Sequence, residues 1–182
     1  LLTIDGTQLP GGSTYLNNSR IFTHTKTGGL TIQDVTLSGG HVYHNGSGLL
    51  YRSIGGCVSS QGNVTLTNVS VTACSATHGG SNATLGGGVY AKGSLALNNS
   101  TLTGNSVGGG GTASGGGAHA NGVMTLNHST ITGNMAIGSG AKGGGLYAQD
   151  NLIVKFSDLA GNTATANSSS ARGGAARSGA TL

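Results

Sequence analysis

The chain has few of the residues that build the core of an ordinary globular domain. Its 182 residues include no Trp, 2 Phe and 5 Tyr. A compact domain of this length normally buries large apolar and aromatic side chains in one thick core. The composition therefore excludes a thick core and favours a narrow interior filled by small aliphatic side chains.

Charge is scarce as well, and negative charge most of all. Charged residues make up 7% of the chain, Glu is absent, and the formal net charge is +4. The basic residues are dispersed, whereas nucleic-acid binding needs a concentrated basic surface, so we do not expect it. No apolar run is long enough to span a bilayer, and no signal peptide is present. Any export signal must therefore lie outside this segment.

Glycine, by contrast, is abundant, and its clusters recur at one phase of an internal repeat. The chain contains 37 Gly. Residues 86–105 read GGGVYAKGSLALNNSTLTGN, residues 115–134 read GGGAHANGVMTLNHSTITGN, and residues 143–162 read GGGLYAQDNLIVKFSDLAGN. Weaker copies extend along the chain at spacings of 28 to 34 residues. Such a repeat indicates a solenoid, and the Gly clusters are interpreted as turns and close backbone approaches.

Each repeat contains three short stretches in which apolar and small or polar residues alternate, as in Leu95-Ala96-Leu97. Alternation with a period of two indicates β-strands. Strands that pair in parallel with their equivalents in the next coil predict an all-β fold, a right-handed single-stranded parallel β-helix of about six coils. The first strands are expected to point Leu30/Ile32, Val64/Leu66, Leu95/Leu97, Met124/Leu126 and Leu152/Val154 inward. A bend follows each of them, at Asp34, Asn68, Asn99, His128 and Phe156.

The whole chain, residues 1–182, is interpreted as one β-helix domain with an irregular first coil at 1–29 and regular coils at 30–182. Leu2-Thr3-Ile4 is placed at the phase of Leu30-Thr31-Ile32. The segments of variable length between the second and third strands are expected to be loops on one side of the rod. A free solenoid normally carries capping elements at its ends, and this sequence shows none. The chain is therefore expected to be a segment of a longer solenoid.

The repeat motifs resemble those of a known group of proteins. The motifs GGGVYA, GGGAHA and GGGLYA, each followed by text similar to LTLxNSTxTGN, resemble the repeats of right-handed parallel β-helix surface proteins. These are the polymorphic outer-membrane-protein and autotransporter-passenger type, within the pectin-lyase-like fold. The resemblance covers residues 55–182 well and residues 1–54 loosely. It implies an extracellular or cell-surface molecule with a structural or adhesive function.

Catalysis is not expected from this segment. Enzymes of the same broad fold are similar in needing clustered carboxylates, which bind calcium or act as acid and base. The acidic residues of this chain fall in different coils or at different phases, and the six His residues show no metal-ligand spacing. We therefore predict no catalytic residues, metal or cofactor; the alternative is a polysaccharide-processing enzyme whose active site lies outside this segment. The acidic residues are Asp5, Asp34, Asp150 and Asp158.

A column of rings is the first candidate binding surface. Tyr90, His119 and Tyr147 occupy one phase of three successive coils, near Lys92. We expect them to form an outward ladder that presents ring faces to a glycan or a protein. The alternative is that the rings pack on each other and stabilise the sheet. Self-association along the rod is a further candidate use of the surface.

A column of hydroxyls is the second candidate surface. Regular Thr-x-Thr arrays resemble the surfaces of some ice-binding proteins, which gives ice binding as another alternative function. Thr and Ser are also ordinary occupants of exposed strand positions. The array consists of Thr36/Ser38, Ser70/Thr72, Thr101/Thr103 and Thr130/Thr132.

Two kinds of covalent modification are also predicted as candidates. Cys57 and Cys74 fall at inward or near-inward phases of one coil, where they either form a disulfide in an exported protein or fill space as two buried thiols. Sequons for N-glycosylation recur along the chain, and in a eukaryotic source they would make the rod a glycoprotein. The candidate acceptors are Asn17, Asn45, Asn63, Asn68, Asn82, Asn98, Asn99, Asn127 and Asn167.

Overall fold

The computed structural model describes residues 2–5, 19–45 and 52–180, and these residues form a parallel β-solenoid of about five turns. Within these residues no helix is long and apolar enough to cross a membrane. The strands stack into five parallel sheets, which we number 1 to 5 in the order in which one coil visits them. The all-β solenoid predicted from the repeat is confirmed.

The three strands predicted for each coil lie in sheets 1, 2 and 5. Sheet 1 contains Leu30–Gln33, Val64–Thr67, Leu95–Asn98, Met124–Asn127 and Leu152–Lys155. Sheet 2 contains Leu2–Asp5, Val35–Ser38, Ser70–Thr72, Thr101–Thr103, Thr130–Thr132 and Asp158–Ala160. Sheet 5 contains Phe22–His24, Val58–Ser60, Val89–Ala91, Ala118–Ala120, Leu146–Ala148 and Ala176–Ser178.

The segments expected to be loops between the second and third strands contain two further short strands per coil. Sheet 3 contains His41–His44, Ser75–His78, Ser106–Gly109, Met135–Gly138 and Thr163–Ala166. Sheet 4 contains Thr84–Leu85, Thr112–Ser114, Gly140–Lys142 and Ala171–Arg172. In the described residues these strands pair with their copies in the next coil, so they are part of the solenoid.

Two separate cores result from this arrangement. Sheets 1, 2 and 5 enclose the main lobe, in which Leu66, Leu97 and Leu126 are fully buried and stack in register. Sheets 3 and 4 enclose a thinner side lobe, whose core consists of small side chains. Small residues suit this lobe because two strands that lie close together leave little volume between them. The side-lobe core consists of Ala76, Val107, Ala113, Ala136 and Ala141.

The inward side chains of sheet 1 follow the predicted alternation, with one exception. Val64, Leu95, Met124 and Leu152 are buried, but Val154 is 44% exposed. Val154 belongs to the last strand of sheet 1, and no described strand stacks beyond it. Inward direction alone therefore does not bury a side chain in a solenoid, because each coil is covered by its neighbours.

The first strand of the chain differs from the expectation. Leu2–Asp5 pairs with Val35–Ser38 in sheet 2, with Leu2 opposite Val35, and not at the phase of Leu30-Thr31-Ile32 in sheet 1. Both sites accept the same alternation of apolar and polar residues, since a period of two does not distinguish one face of the coil from another. Because no sheet 1 strand forms there, the described solenoid has about five turns rather than six.

The bends between sheets 1 and 2 are formed by residues in the left-handed region of backbone space. Asp34, Asn68, Asn99, His128 and Phe156 have φ values between 47° and 55°. Asn and Asp tolerate this conformation better than other non-Gly residues, because their short side chains bond locally. The predicted bend positions are therefore confirmed, and their Asn-like character has a backbone cause.

Asparagines form a buried ladder along the main lobe. Asn105 Nδ2 donates to Asn134 Oδ1 at 3.0 Å, and Asn134 Nδ2 donates to Asn162 Oδ1 at 2.9 Å. Each side chain also serves the backbone: Asn134 Nδ2 donates to the Leu102 carbonyl at 2.9 Å, and Asn134 Oδ1 accepts from the Asn105 N–H at 2.9 Å. The ladder thus satisfies backbone groups at a corner where the sheet hydrogen bonds stop.

The Gly cluster fits over this ladder. A Cβ on Gly88 would lie 3.1 Å from Asn105 Cγ, and one on Gly87 would lie 2.3 Å from the Ser106 carbonyl oxygen. Both distances are shorter than a side chain normally tolerates, so these positions need glycine. The cluster lets the chain pass between the two lobes at close range before it enters sheet 5.

The disulfide replaces one step of the same ladder. Cys57 and Cys74 are bonded and lie 17 residues apart, which is also the separation of Gly88 from Asn105. Cys57 lies at the level of Gly88, because its N–H donates to the Gly88 carbonyl and Val58 pairs with Val89. Cys57 therefore occupies the glycine position of the repeat, one residue before the inward position of Val89. The Cys74 N–H donates to Asn105 Oδ1 at 2.9 Å, so the disulfide ends the ladder on this side.

We predict that Asn134→Ala lowers the free energy of unfolding by about 3 kcal/mol, because the Leu102 carbonyl and the Asn105 N–H lose buried partners. Asn99→Ala is the matched control, since it removes an exposed Asn and should cost about 1 kcal/mol through the left-handed bend. Urea unfolding followed by circular dichroism measures both variants. Equal losses in the two would contradict a structural role for the buried ladder.

A double variant tests the equivalence of the disulfide and the Gly–Asn pair. In Cys57→Gly/Cys74→Asn, Asn at 74 is placed to donate to Asn105 Oδ1, as Asn105 donates to Asn134. We expect this variant to fold and to have the same urea midpoint with and without reductant. Cys57→Ser/Cys74→Ser lacks the amide, so its free energy of unfolding should be about 1 kcal/mol lower and its urea midpoint lower accordingly. A serine variant at least as stable as the Gly/Asn variant would refute the equivalence.

Candidate functional site

The predicted ring column exists, but it lies in a cleft instead of on an open face. Tyr90, His119 and Tyr147 are register partners in successive strands of sheet 5. Tyr90 is 7% exposed and His119 is 4% exposed, while Tyr147 is half-buried. The expectation of an outward ladder assumed that sheet 5 has a free outer face. The side lobe covers that face.

The faces of the three rings pack against one another. Their centroids are 5.6 Å apart for Tyr90 and His119, and 4.9 Å apart for His119 and Tyr147, with planes tilted by 31° and 33°. These separations are those of favourable aromatic pairs, which stabilise the sheet. A ligand in the cleft therefore meets ring edges and polar groups.

The opposite wall of the cleft comes from sheet 4. Leu85, Ser114 and Lys142 are register partners there, and they line the cleft across from the rings. The cleft has a volume of about 290 Å³. The Gly cluster connects the two walls directly, since only residues 86–88 separate Leu85 from Val89. The full lining is Arg52, Ala83, Leu85, Tyr90, Thr112, Ser114, His119, Asn121, Lys142, Tyr147 and Gln149.

The lysine expected beside the rings is a different one. Lys92 is exposed and does not line the cleft. Lys142 reaches over Tyr147, with its Nζ 5.9 Å from the ring centroid, which is within the range of a cation–π contact. Lys142 was missed because it belongs to a segment expected to be a loop. A pattern that could have predicted the sheet 4 strands is present in the sequence. Thr112-Ala113-Ser114 and Gly140-Ala141-Lys142 show the same strand-like alternation one coil apart.

Positive charge is concentrated along the cleft. Arg52 and Lys142 line it, and none of the lining residues is acidic. In the next coil, Arg172 pairs with Lys142 in sheet 4 and Arg177 pairs with Tyr147 in sheet 5. Arg177 Nε is buried and has no hydrogen-bond partner among the described residues. The two walls therefore lead to the cations Lys142, Arg172 and Arg177, while Arg52 supplies a cation beside Tyr90.

His119 is the most strongly perturbed titratable group of the cleft. Burial lowers the pKa of His119 to about 4, and the nearby charges of Lys142 and Arg52 lower it further, while a hydrogen bond to Asn121 opposes this shift. His119 Nε2 and Asn121 Oδ1 are 3.1 Å apart. Burial also raises the pKa of Tyr90. At neutral pH His119 is therefore uncharged, and with Tyr90 it forms the polar floor of the cleft.

The hydroxyl column occupies sheet 2 as expected. Thr101 pairs with Ser70 and Thr130, and the Oγ1 atoms of Thr103 and Thr132 lie 3.2 Å apart. Its members are half-buried, and the column ends at Asp158 and Ala160. Ice binding by this face stays a prediction.

The described acidic residues lie apart from one another, and none of them lines the cleft, although Asp150 directly follows the lining residue Gln149. Asp34 lies at a bend, where its Oδ1 accepts from Asn68 Nδ2 at 3.0 Å, and Asp158 lies in sheet 2. Asp150 follows the sheet 5 strand that contains Tyr147. The side chain of Asp5 lies outside the described residues. Across residues 19–45 and 52–180, no three His, Cys, Asp or Glu side chains are grouped so that they could hold a metal ion.

The candidate glycosylation sites differ in exposure. Asn17 lies outside the described residues, and Asn82, Asn98 and Asn127 are half-buried. The hydroxyls that complete the last two sequons, Ser100 and Ser129, are buried and form a second ladder, in which the Ser100 N–H donates to Ser129 Oγ at 3.1 Å. The remaining acceptors, which are exposed, are Asn45, Asn63, Asn68, Asn99 and Asn167.

His119→Phe tests the electrostatic state of the column. The folded-state pKa of His119 is depressed to about 4, so between pH 4 and 6.5 the unfolded chain binds a proton that the folded chain does not. Stability should therefore fall as the pH drops through this window, by about 3 kcal/mol. His119→Phe keeps a ring in the column but cannot titrate, so its stability should depend less on pH. Urea unfolding at pH 7 and pH 4.5 measures the difference, and equal pH dependence in the two proteins would contradict a buried neutral histidine.

No protein-family model, curated protein or solved structure matches the chain.

Proposed function

We propose that this chain is part of a non-catalytic extracellular or cell-surface rod with a structural and adhesive function, and that it binds a saccharide in the cleft between its two lobes. The cleft carries this proposal, because it collects groups that match sugar hydroxyls. Amides such as Asn121 and Gln149, and hydroxyls such as Thr112 and Tyr147, both donate and accept hydrogen bonds. A sugar presents the same dual character at each hydroxyl.

The shape and size of the cleft favour a saccharide over a protein partner. Its lining comes from successive coils, so the cleft runs along the rod and accommodates a linear chain. A volume of about 290 Å³ lies at the lower end of the range of small-molecule sites. A stable protein interface needs about 800 Å² on each partner, so a protein would have to make most of its contacts outside the cleft.

The disulfide supports an extracellular location. Disulfides persist in oxidising compartments and are rare in the cytosol. The Cys57–Cys74 bond lies inside the main lobe, where it closes one coil. The resemblance of the repeats to surface β-helix proteins points in the same direction.

A binding assay with matched glutamines tests the proposed function. The probes are heparin, hyaluronate and neutral dextran, each immobilised and measured by biolayer interferometry at low salt. We expect at least one probe to bind, and Gln149→Ala in the cleft to weaken binding several-fold through the loss of a hydrogen bond. Gln33→Ala, an exposed glutamine in sheet 1, should leave the affinity unchanged. Absence of binding to all three probes, or equal effects of the two variants, would refute the proposed function.

A further inference from the structure

The charges of the cleft specify its ligand more closely than its shape does. Arg52 and Lys142 line the cleft without any acidic neighbour in the lining. Their fields reach the floor, since both lower the pKa of His119 there. Lys142 is half-buried and therefore less well hydrated than an exposed cation, so an anion that enters the cleft gains more from it.

The cations follow the axis of the rod. Lys142 and Arg172 are register partners in adjacent coils, so their backbones are about 4.8 Å apart. On the facing wall Arg177 continues the column of Tyr147, and its buried Nε still lacks a partner among the described residues. A linear ligand that runs along the cleft would meet these positive groups in succession.

We infer that the cleft binds an anionic saccharide, one that carries carboxylate or sulfate groups. Its charge partners are Arg52 and Lys142, which line the cleft, and Arg172 and Arg177, which lie one coil beyond Lys142 and Tyr147. This inference rests on the proposed function and names the class of ligand. Asn121 and Gln149, which line the cleft, bind the hydroxyls of the same ligand. A guanidinium binds carboxylate and sulfate oxygens through paired N–H donors, so Arg172 and Arg177 suit either anionic group.

The test compares removal of two cations from the sheet 4 column that lines and continues the cleft with removal of two cations elsewhere. Lys142→Gln/Arg172→Gln removes two cations from sheet 4, and Lys155→Gln/Lys26→Gln removes two exposed cations from elsewhere on the rod. Both double variants have the same net charge. We expect the cleft variant to lose roughly tenfold or more in affinity for heparin or hyaluronate, since each charge-assisted hydrogen bond contributes about a factor of ten. The control variant should lose less than twofold at 150 mM salt.

The two anionic probes distinguish the sources of charge, because heparin carries sulfates and hyaluronate carries only carboxylates. Binding of either one, with loss in the cleft variant alone, supports the inference. Equal losses in the two double variants would mean unspecific attraction to a basic protein, and would overturn it. Binding of dextran that depends on Gln149 while both anionic probes fail to bind would overturn the inference and leave the proposed function standing. Circular dichroism of each variant establishes that it is folded.

Discussion

The structure depends on in-register hydrogen bonding between successive coils. Each strand is about 4.8 Å from its copy, so every side chain lies directly against the side chain one repeat away. A residue type is therefore acceptable only if it packs on or bonds to its own neighbour in the column. Leu on Leu, as at Leu97 and Leu126, and Asn on Asn, as at Asn105 and Asn134, meet this condition. The low aromatic content and scarce charge follow from it, because large rings crowd a narrow interior and like charges repel in a column.

The Asn ladder and the glycine above it act as one unit. The amide bonds its own copy and two backbone groups, and this position is possible only because Gly88, Gly117 and Gly145 leave space for it. Where the unit is replaced, both members change together, to Cys57 and Cys74. The same seventeen-residue separation holds in each case. The corner therefore accepts either a noncovalent or a covalent link, provided that both partners are chosen jointly.

Much of the main lobe could be predicted from the sequence, because its signals are local. Alternation identified the strands of sheets 1, 2 and 5, and the Asn-like residues identified the left-handed bends. The sheet to which Leu2–Asp5 belongs could not be predicted, since alternation looks the same on every face of the coil. The side lobe was interpreted as loops because the length of this segment varies from coil to coil, which is typical of loops. Sheet 4 of the side lobe covers Tyr90 and His119, and because these strands were not predicted, the burial of the two rings was not predicted either.

The candidate site occupies the columns that depart from the repeat. In the core, each column keeps one chemical type through several coils, which stabilises the stack but distinguishes no position from another. In the cleft, the sheet 5 column changes from Tyr90 to His119, Tyr147 and Arg177, and the facing column changes from Leu85 to Ser114, Lys142 and Arg172. Apart from the stacked rings, the side chains in these two columns do not match their neighbours in the next coil. Packing of like on like therefore does not explain their order. Cations therefore occur along the length of the cleft, from Arg52 beside Tyr90 to Lys142, Arg172 and Arg177. A series of positive groups along the rod suits recognition of a linear, charged ligand.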